Sequence, residues 1–468
     1  MSALSSQKIT MRRVKHDVLC VGLGASALSL AVAYRERDPG ADIVFLEAQP
    51  KSSWRPIRKL PGQDMGTTFM HDLITTENPR SKFTFVKYLH ETGRLVNFTN
   101  VGKIKPAGEL FEDYLRWVAE KFESQVKWAT QVVSIEGGRD GSGVVDEWTI
   151  TAEDRLAGSK TIISAKRVIV AVGSQSRVPK ALGGGGTAVV HASNFQERLQ
   201  EKLRTVSHGA NIAIVGEGQP AVELLEYIQS IRGTHTTTLF TEQPSLQPAA
   251  SSSFANDTTI KPSLAALKSL PPELRSRASG QSGGAVAPAA QSQLIERIYE
   301  IQYNQRVKEA DEENLRLQVK PSSKVTNVET APDGRASVTY LDKVSGEAKT
   351  HARDFDLVIA ATGYAQREQD RLLRPLGRLL ENGTVSVDSN YRVNLRRRGV
   401  TNGRGLWLVG SLAPEQYVSS YTMVMLKGGD AAFSIMAERS RRLVDSLLAI
   451  QALESLEKEE VEAVQAHL

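Results

Sequence analysis

Two stretches of this chain place paired glycines where a backbone could close on a phosphate. In HDVLCVGLGASALSLAVAYRER, Gly22 and Gly24 follow the apolar run from Val18 to Val21 and precede a segment bearing Leu28, Leu30 and Val32. That order predicts a buried strand, a tight turn and a helix. About twenty residues on, ADIVFLEAQP supplies a second strand ending in Glu47, which completes a βαβ unit. Gly22 permits the turn, Gly24 lets N–H groups approach a pyrophosphate at the helix N-terminus, and Glu47 can accept hydrogen bonds from a ribose diol. A glycine turn alone occurs in any α/β protein, so the reading as a dinucleotide site rests on the combination.

The pattern recurs in ANIAIVGEGQPAVELLEYIQ, with a strand over 211–215, then Gly216, Gly218 and Gln219 opening a helix. Pro220 is tolerable there, because a first-turn N–H has no intrahelical partner. Two nucleotide sites imply two redox cofactors, an electron donor and a flavin. A second copy kept only for packing is the alternative.

The remaining elements must position these turns. Between 243 and 293 the composition shifts to Ser, Ala, Pro, Gly and Gln, which predicts a long mobile loop. After it come a helix, SQLIERIYEIQYNQRVK, a polar β region, and FDLVIAATGY, a buried strand ending at Thr362 and Gly363. Assigned to the first nucleotide domain, that strand makes the domain discontinuous. The expected architecture is α/β with two Rossmann-like dinucleotide-binding domains: residues 14–206 with 352–440, residues 207–351 between them, and a helical tail over 441–468. The start, MSALSSQKITMRRVKHD, reads as a frayed tail without the apolar core of a signal peptide. LESLEKEEVEAVQAHL reads as a solvated surface helix, with a partner-binding segment as the alternative.

Composition narrows the function classes. A chain of 468 residues with 40% apolar content can bury a large core in two or three domains. Its one cysteine, Cys20, cannot form an intrachain disulfide, and no apolar stretch approaches the ~18 residues needed to span a bilayer. A reducing cytoplasm is therefore expected, without membrane insertion. The 58 basic and 53 acidic residues give a scattered balance of +5, which argues against nucleic acid as a partner. No metal-ligand cluster stands out among the eight histidines and one cysteine.

Several separated blocks, FLEAQPKSSW, NPRSKFTFVKYLHETGRLVNFTN, FEDYLRWVAEKF, VGEGQPAVE, LVIAATGY and VDSNYRVNLRRRG, resemble the flavin-dependent N-hydroxylating monooxygenases. The likeness is to the fungal L-ornithine N5-monooxygenases of siderophore synthesis and covers most of residues 15–430. It implies an FAD site in the discontinuous domain, a nicotinamide site in the other, a small-molecule substrate and a homo-oligomer. Members reduce FAD with NADPH, form a C4a-hydroperoxide with oxygen, and pass its distal oxygen to a neutral primary amine. Because the flavin carries that chemistry, no side-chain nucleophile is required and no residue is assigned as catalytic.

The resemblance implies that Gly22 and Gly24 meet the FAD pyrophosphate and Glu47 its ribose. Trp54 and Arg55 would meet the rest of the cofactor, and Val132 would lie near the adenine. Ala25 stands where the family usually has proline, which affects the stiffness of the turn more than its N–H groups. On the substrate side, Gly66 replaces a glutamine that lies against the flavin, and His71 replaces a lysine that pairs with the amino acid's carboxylate. Histidine is shorter and mostly neutral at pH 7, so carboxylate recognition weakens; His71 reads equally as a solvated polar residue. Asn256 matches a substrate-holding asparagine or is an ordinary turn former. LAPEQYVSSYTMVMLKGG replaces a His-Gly-Leu-Ser-Asp element; only Ser419 or Ser420 stands in for its serine, and the loop around Tyr417 is expected to line one cavity with the region from Gly66 to His71. Glu242 stands where the family has an arginine for the 2′-phosphate of NADPH. A carboxylate there repels that phosphate and can accept from the free 2′-hydroxyl of NADH, unless Glu242 is only a solvated loop acid. These departures point to an amine or other soft nucleophile on a molecule other than free ornithine. They leave open a redox-neutral step on the same scaffold, such as isomerisation or cyclisation without nicotinamide.

Overall fold

The computed structural model describes residues 9–466 apart from 56–59, 140–143, 207–208, 249–288, 312–313, 366, 397–398 and 410–432. The described chain divides into two compact units, one built from residues up to 174 and from 367 on, the other lying between 175 and 365.

The first unit opens with β1 (Ile9–Val21), α1 (Ala25–Arg37) and β2 (Ile43–Leu46). Three helices follow, α2 (Phe85–Glu91), α3 (Leu95–Val101) and α4 (Gly108–Glu120). Then come β3 (Val126–Lys127), β4 (Thr130–Arg139), β5 (Val145–Asp154) and β6 (Lys160–Val170). The sheet order is β3-β2-β1-β6-β5-β4. Parallel pairing joins β1 to both β2 and β6, while β5 runs antiparallel to β6 and β4 to β5. Alternate side chains of β1 enter different cores: Val18 and Cys20 join α1, Phe111 and Tyr114, whereas Leu19 and Val21 join Trp148 and Ile150. A sheet covered on both faces needs such near-continuous apolar strands.

The second unit contains β7 (Gln175–Ser176), β8 (Val189–His191), α5 (Phe195–Thr205), β9 (Asn211–Gly216), α6 (Gln219–Ser230) and β10 (Thr236–Phe240). It continues with β11 (Gln247–Pro248), β12 (Ala289–Ala290), α7 (Ser292–Arg306) and β13 (Leu317–Lys320). The strands β14 (Ser323–Thr330), β15 (Ala336–Asp342), β16 (Ala348–Thr350), β17 (Leu357–Ala361) and β18 (Tyr364–Ala365) complete it. A parallel sheet in the order β13-β10-β9-β17-β8 carries the second glycine turn, and β14-β15-β16 form an antiparallel sheet.

The chain then returns to the first unit through α8 (Arg367–Leu373), β19 (Gly405–Leu408) and α9 (Met436–Ala466). The strand β19 pairs in parallel with residues 167–170 of β6, next to the stretch that pairs with β5.

Four expectations need correction. The strand within FDLVIAATGY is β17, in register with β9 of the second unit; β19 is the late strand that the first unit receives. The second unit accordingly begins at 175 rather than 207 and extends to 365 rather than 351. Apolar, β-branched composition identifies a buried strand but not its partner, because pairing is non-local. The expected tail over 441–468 is not separate: as far as Ala466 it continues a helix whose Leu443, Val444 and Leu447 are buried in the same core as α1. Residues 9–17 of the expected frayed start belong to β1, whose Ile9 and Thr10 pair with Lys160 and Thr161.

An ionic cluster fastens α9. Arg167, fully buried, donates to Asp17 at 2.7 Å and to Glu454, which also accepts from Arg404. Among the described residues, no helix is long and apolar enough to cross a membrane.

Candidate functional site: two glycine turns and an altered wall

At the end of β1, Gly22 adopts φ 95°, and a Cβ there would stand 2.6 Å from the carbonyl oxygen of Ala171. Only glycine permits both that conformation and that approach. Gly24 caps α1 in extended conformation with no side-chain cap, and its carbonyl accepts the first helical bond from Leu28 at 3.0 Å. A Cβ at Gly24 would meet no protein atom within 4 Å. The helix N-terminus thus lacks a side-chain cap and has open space beside its capping glycine, at the positive end of a 13-residue helix, which suits an anion. Glu47, 8% exposed, accepts the N–H of Leu23 through Oε2 and of Gln49 through Oε1, each at 2.8 Å. Burial raises its pKa, and these N–H donors oppose the rise. Each carboxylate oxygen keeps a lone pair for a hydroxyl. The turn, the uncapped helix and the acid fit the adenosine diphosphate half of FAD.

The segment from Met65 to Leu73, which holds Gly66 and His71 and forms the expected wall of the substrate site, is pinned to this turn's helix. Ser29 of α1 donates to the carbonyl of Leu73 at 2.7 Å. Asp72, buried, accepts from the N–H groups of Ile74, Thr75 and Phe85 and from the Thr75 hydroxyl. Sequence reasoning passed over Asp72, although its position beside a bend is a signal that short acids hold backbone turns. Met65 and Phe69 donate their N–H groups to Pro106 and Ile104 at 2.7 and 3.0 Å, fixing the backbone on either side of Gly66. His71 is half-buried, with Nδ1 2.8 Å from the Thr67 hydroxyl, and burial lowers its pKa. It is a neutral ring at pH 7.

Trp54 packs its ring edge against Trp128, centroids 5.6 Å apart, within the core. Arg55 is mostly exposed, 3.8 Å from Glu112. Val132 is buried in the sheet core, and its carbonyl accepts from Arg371 at 2.9 Å. Asn256, Tyr417 and Ser419 lie outside the described residues. One cavity of about 440 Å³ is lined by Arg367, Asp370, Arg371, Arg374 and Pro375, none of them an expected site residue.

In the second unit, a Cβ at Gly216 would stand 2.4 Å from the Ala361 carbonyl oxygen, the same close approach seen at Gly22. Gly218 caps α6, again with no side-chain cap. Gln219 ties that helix outward, accepting from the Gln291 N–H at 2.6 Å and donating to Glu223 at 2.7 Å. Glu217, between the glycines, accepts the N–H of Glu242 at 3.1 Å. The Glu242 carboxylate meets Lys343 at 2.7 Å. An uncapped helix after a glycine turn fits a second dinucleotide. Glu217 was legible as the acid of GEG but went unused; nothing local in the sequence announces Lys343.

A family model described as L-lysine 6-monooxygenase/L-ornithine 5-monooxygenase matches residues 14–366. The chain belongs to this family of flavin-dependent N-hydroxylating monooxygenases. An L-ornithine N(5)-monooxygenase of Ajellomyces capsulatus is 32% identical over 443 residues, covering 93% of this chain and 91% of the relative. The reduced form of an ornithine hydroxylase from Pseudomonas aeruginosa superimposes with a TM-score of 0.80 at 26% identity, covering 94% of this chain and all of that one. An ornithine N-hydroxylase from Kutzneria, solved with reduced FAD, NADP+ and L-ornithine, shares the fold with a TM-score of 0.80 at 24% identity, covering 93% and 100%. The likeness extends across both units, so the family assignment does not rest on one glycine turn.

Proposed function

We propose that this N-hydroxylase uses FAD and a nicotinamide dinucleotide to oxidise an amine, or another soft nucleophile, on a substrate other than free L-ornithine. The observation that carries the reading is His71: a neutral, half-buried ring held by Thr67, where relatives would place a lysine opposite the amino acid's carboxylate. Bound FAD, once reduced, supplies the activated oxygen.

The chain's own part is to bind, orient and shield. The N-terminus of α1 holds the pyrophosphate, and Glu47 takes the ribose hydroxyls while keeping Leu23 of the turn in place. With Nδ1 engaged by Thr67, Nε2 of His71 is left to meet the substrate. A neutral imidazole offers one donor or one acceptor there and no charge for a carboxylate. Losing a charge-assisted contact of that kind costs about 1.5–3 kcal/mol, or roughly 10- to 150-fold in affinity.

The test begins with colour. Purified protein should carry flavin absorbance and bleach anaerobically with NADH or NADPH. In air it should then form hydroxylamine from a primary amine that lacks a free carboxylate in preference to L-ornithine. Efficient, tightly coupled hydroxylation of free L-ornithine would overturn the substrate assignment. A yellow protein that neither nicotinamide reduces would instead favour the redox-neutral reading.

A further inference from the structure

We infer that Lys343, masked by Glu242, is the residue that decides which nicotinamide dinucleotide the second unit accepts, and that the masked site takes NADH. This rests on the reading that the second unit binds nicotinamide at all.

The elements that place this pair are far apart in sequence and tied by backbone. Ser323 donates its N–H to the Thr241 carbonyl, Ser322 to that of Gln243, and Lys343 to that of Ser322, each at 2.8 Å. The turn after β15 is thereby pinned at the C-terminal end of β10. Asp342 orders that turn, accepting from the Val344 N–H at 2.9 Å and the Lys349 ammonium at 2.7 Å. From this fixed base the Lys343 ammonium reaches Glu242, while Glu217 holds the Glu242 backbone from the glycine turn.

The end of a Rossmann unit's second strand is where the adenosine ribose lies. Two carboxylates and one ammonium gather there, and the ammonium is already paired. A free 2′-hydroxyl can donate to Glu242. A 2′-phosphate meets net negative charge, and the cation that would bind it is held by a carboxylate. Relative to the family's pattern the charges are transposed: the acid stands on the strand and the cation on a neighbouring hairpin. The site is therefore a phosphate-binding ammonium with a cover on it.

Both side chains of the pair are about two-fifths exposed, 42% and 40%. An exposed pair of this kind adds little to folding, so its removal reports on ligand selection.

The experiment uses the FAD-loaded full chain and isothermal titration with NAD+ and NADP+, oxidised forms that bind without turnover. The unaltered protein should bind NAD+ about tenfold more tightly than NADP+. Glu242→Gln should tighten NADP+ by about tenfold and weaken NAD+ slightly. Adding Lys343→Met to Glu242→Gln should abolish the gain, which identifies Lys343 as the cation. If that gain survives the loss of Lys343, or if the unaltered protein prefers NADP+, the inference falls while nicotinamide binding stands. If neither dinucleotide binds at millimolar concentration, the reading beneath it falls as well.

Discussion

The two glycine turns are built alike where they touch their sheets and differently where they face a ligand. Gly22 and Gly216 each lie against a carbonyl at the end of the neighbouring strand, that of Ala171 just past β6 and that of Ala361 in β17. Gly24 and Gly218 each cap a helix with no side-chain cap. The acids diverge. In the first unit the acid stands on the second strand and reaches back to the turn, buried, from Glu47 to the Leu23 N–H. In the second unit the acid stands in the turn and reaches forward, from Glu217 to the Glu242 N–H, leaving the strand's own carboxylate with Lys343. Sheet packing fixes Gly22 and Gly216, because a Cβ at either would strike backbone. At the strand ends the backbone is tied as well, but the contacts that face a ligand are made by the side chains of Glu47, Glu217 and Glu242, so ligand preference can change there with little cost to the sheet.

Matched valine substitutions at the capping glycines break this comparison most forcefully. Gly24→Val adds a side chain where a Cβ meets no protein atom, so the fold should hold while FAD affinity falls by about 100-fold or more, near 3 kcal/mol. Gly218→Val should keep the yellow colour and lose nicotinamide binding. Flavin content per folded molecule separates the two, and unchanged FAD affinity in folded Gly24→Val would refute the site.

The ionic contacts differ next. Glu454→Ala strands the buried Arg167 with Asp17 alone and removes a partner of Arg404; it should cost about 3 kcal/mol in denaturant unfolding. Lys343→Met, breaking an exposed pair, should cost less than about 1 kcal/mol. Equal losses would mean that burial does not distinguish the two clusters.

The smallest effect is a pH dependence in the wall. The folded-state pKa of His71 lies below its ordinary 6.5, through burial. Its neutral form is thus the one folding favours, and that stability is present above pH 6.5 and lost as pH falls through the lowered value. His71→Gln should flatten the acid side of a plot of Tm against pH, and a parallel decline in both proteins would exclude His71 as the source.

What the sequence made legible was local. Both turns and the strand before each could be placed from Gly22, Gly24, Gly216 and Gly218, because a tight turn and a helix start are written in adjacent residues. The strand Leu357–Ala361 was recognisable as buried yet went to the wrong sheet, since its partners, β8 and β9, lie far upstream. Lys343 was invisible for the same reason: its meaning comes from a hairpin folded against the end of β10. Asp72 and Thr67 are short polar residues of ordinary type, and only the bonds they make to the Phe85 N–H and to His71 mark them as supports of the wall.

The late return of the chain to its first unit carries a consequence for biosynthesis. The sheet and core that hold Glu47 and the first glycine turn draw Leu406 and Leu408 from β19, and Leu443, Val444 and Leu447 from α9. A ribosome has finished every strand of the second unit before it makes any of these residues. Domains generally fold as they emerge, so the second unit can close while the first waits, half-built, for β19 and α9. Flavin capture then waits until β19 and α9 have been made, and a truncated product that stops before β19 would be colourless however well its second unit had folded.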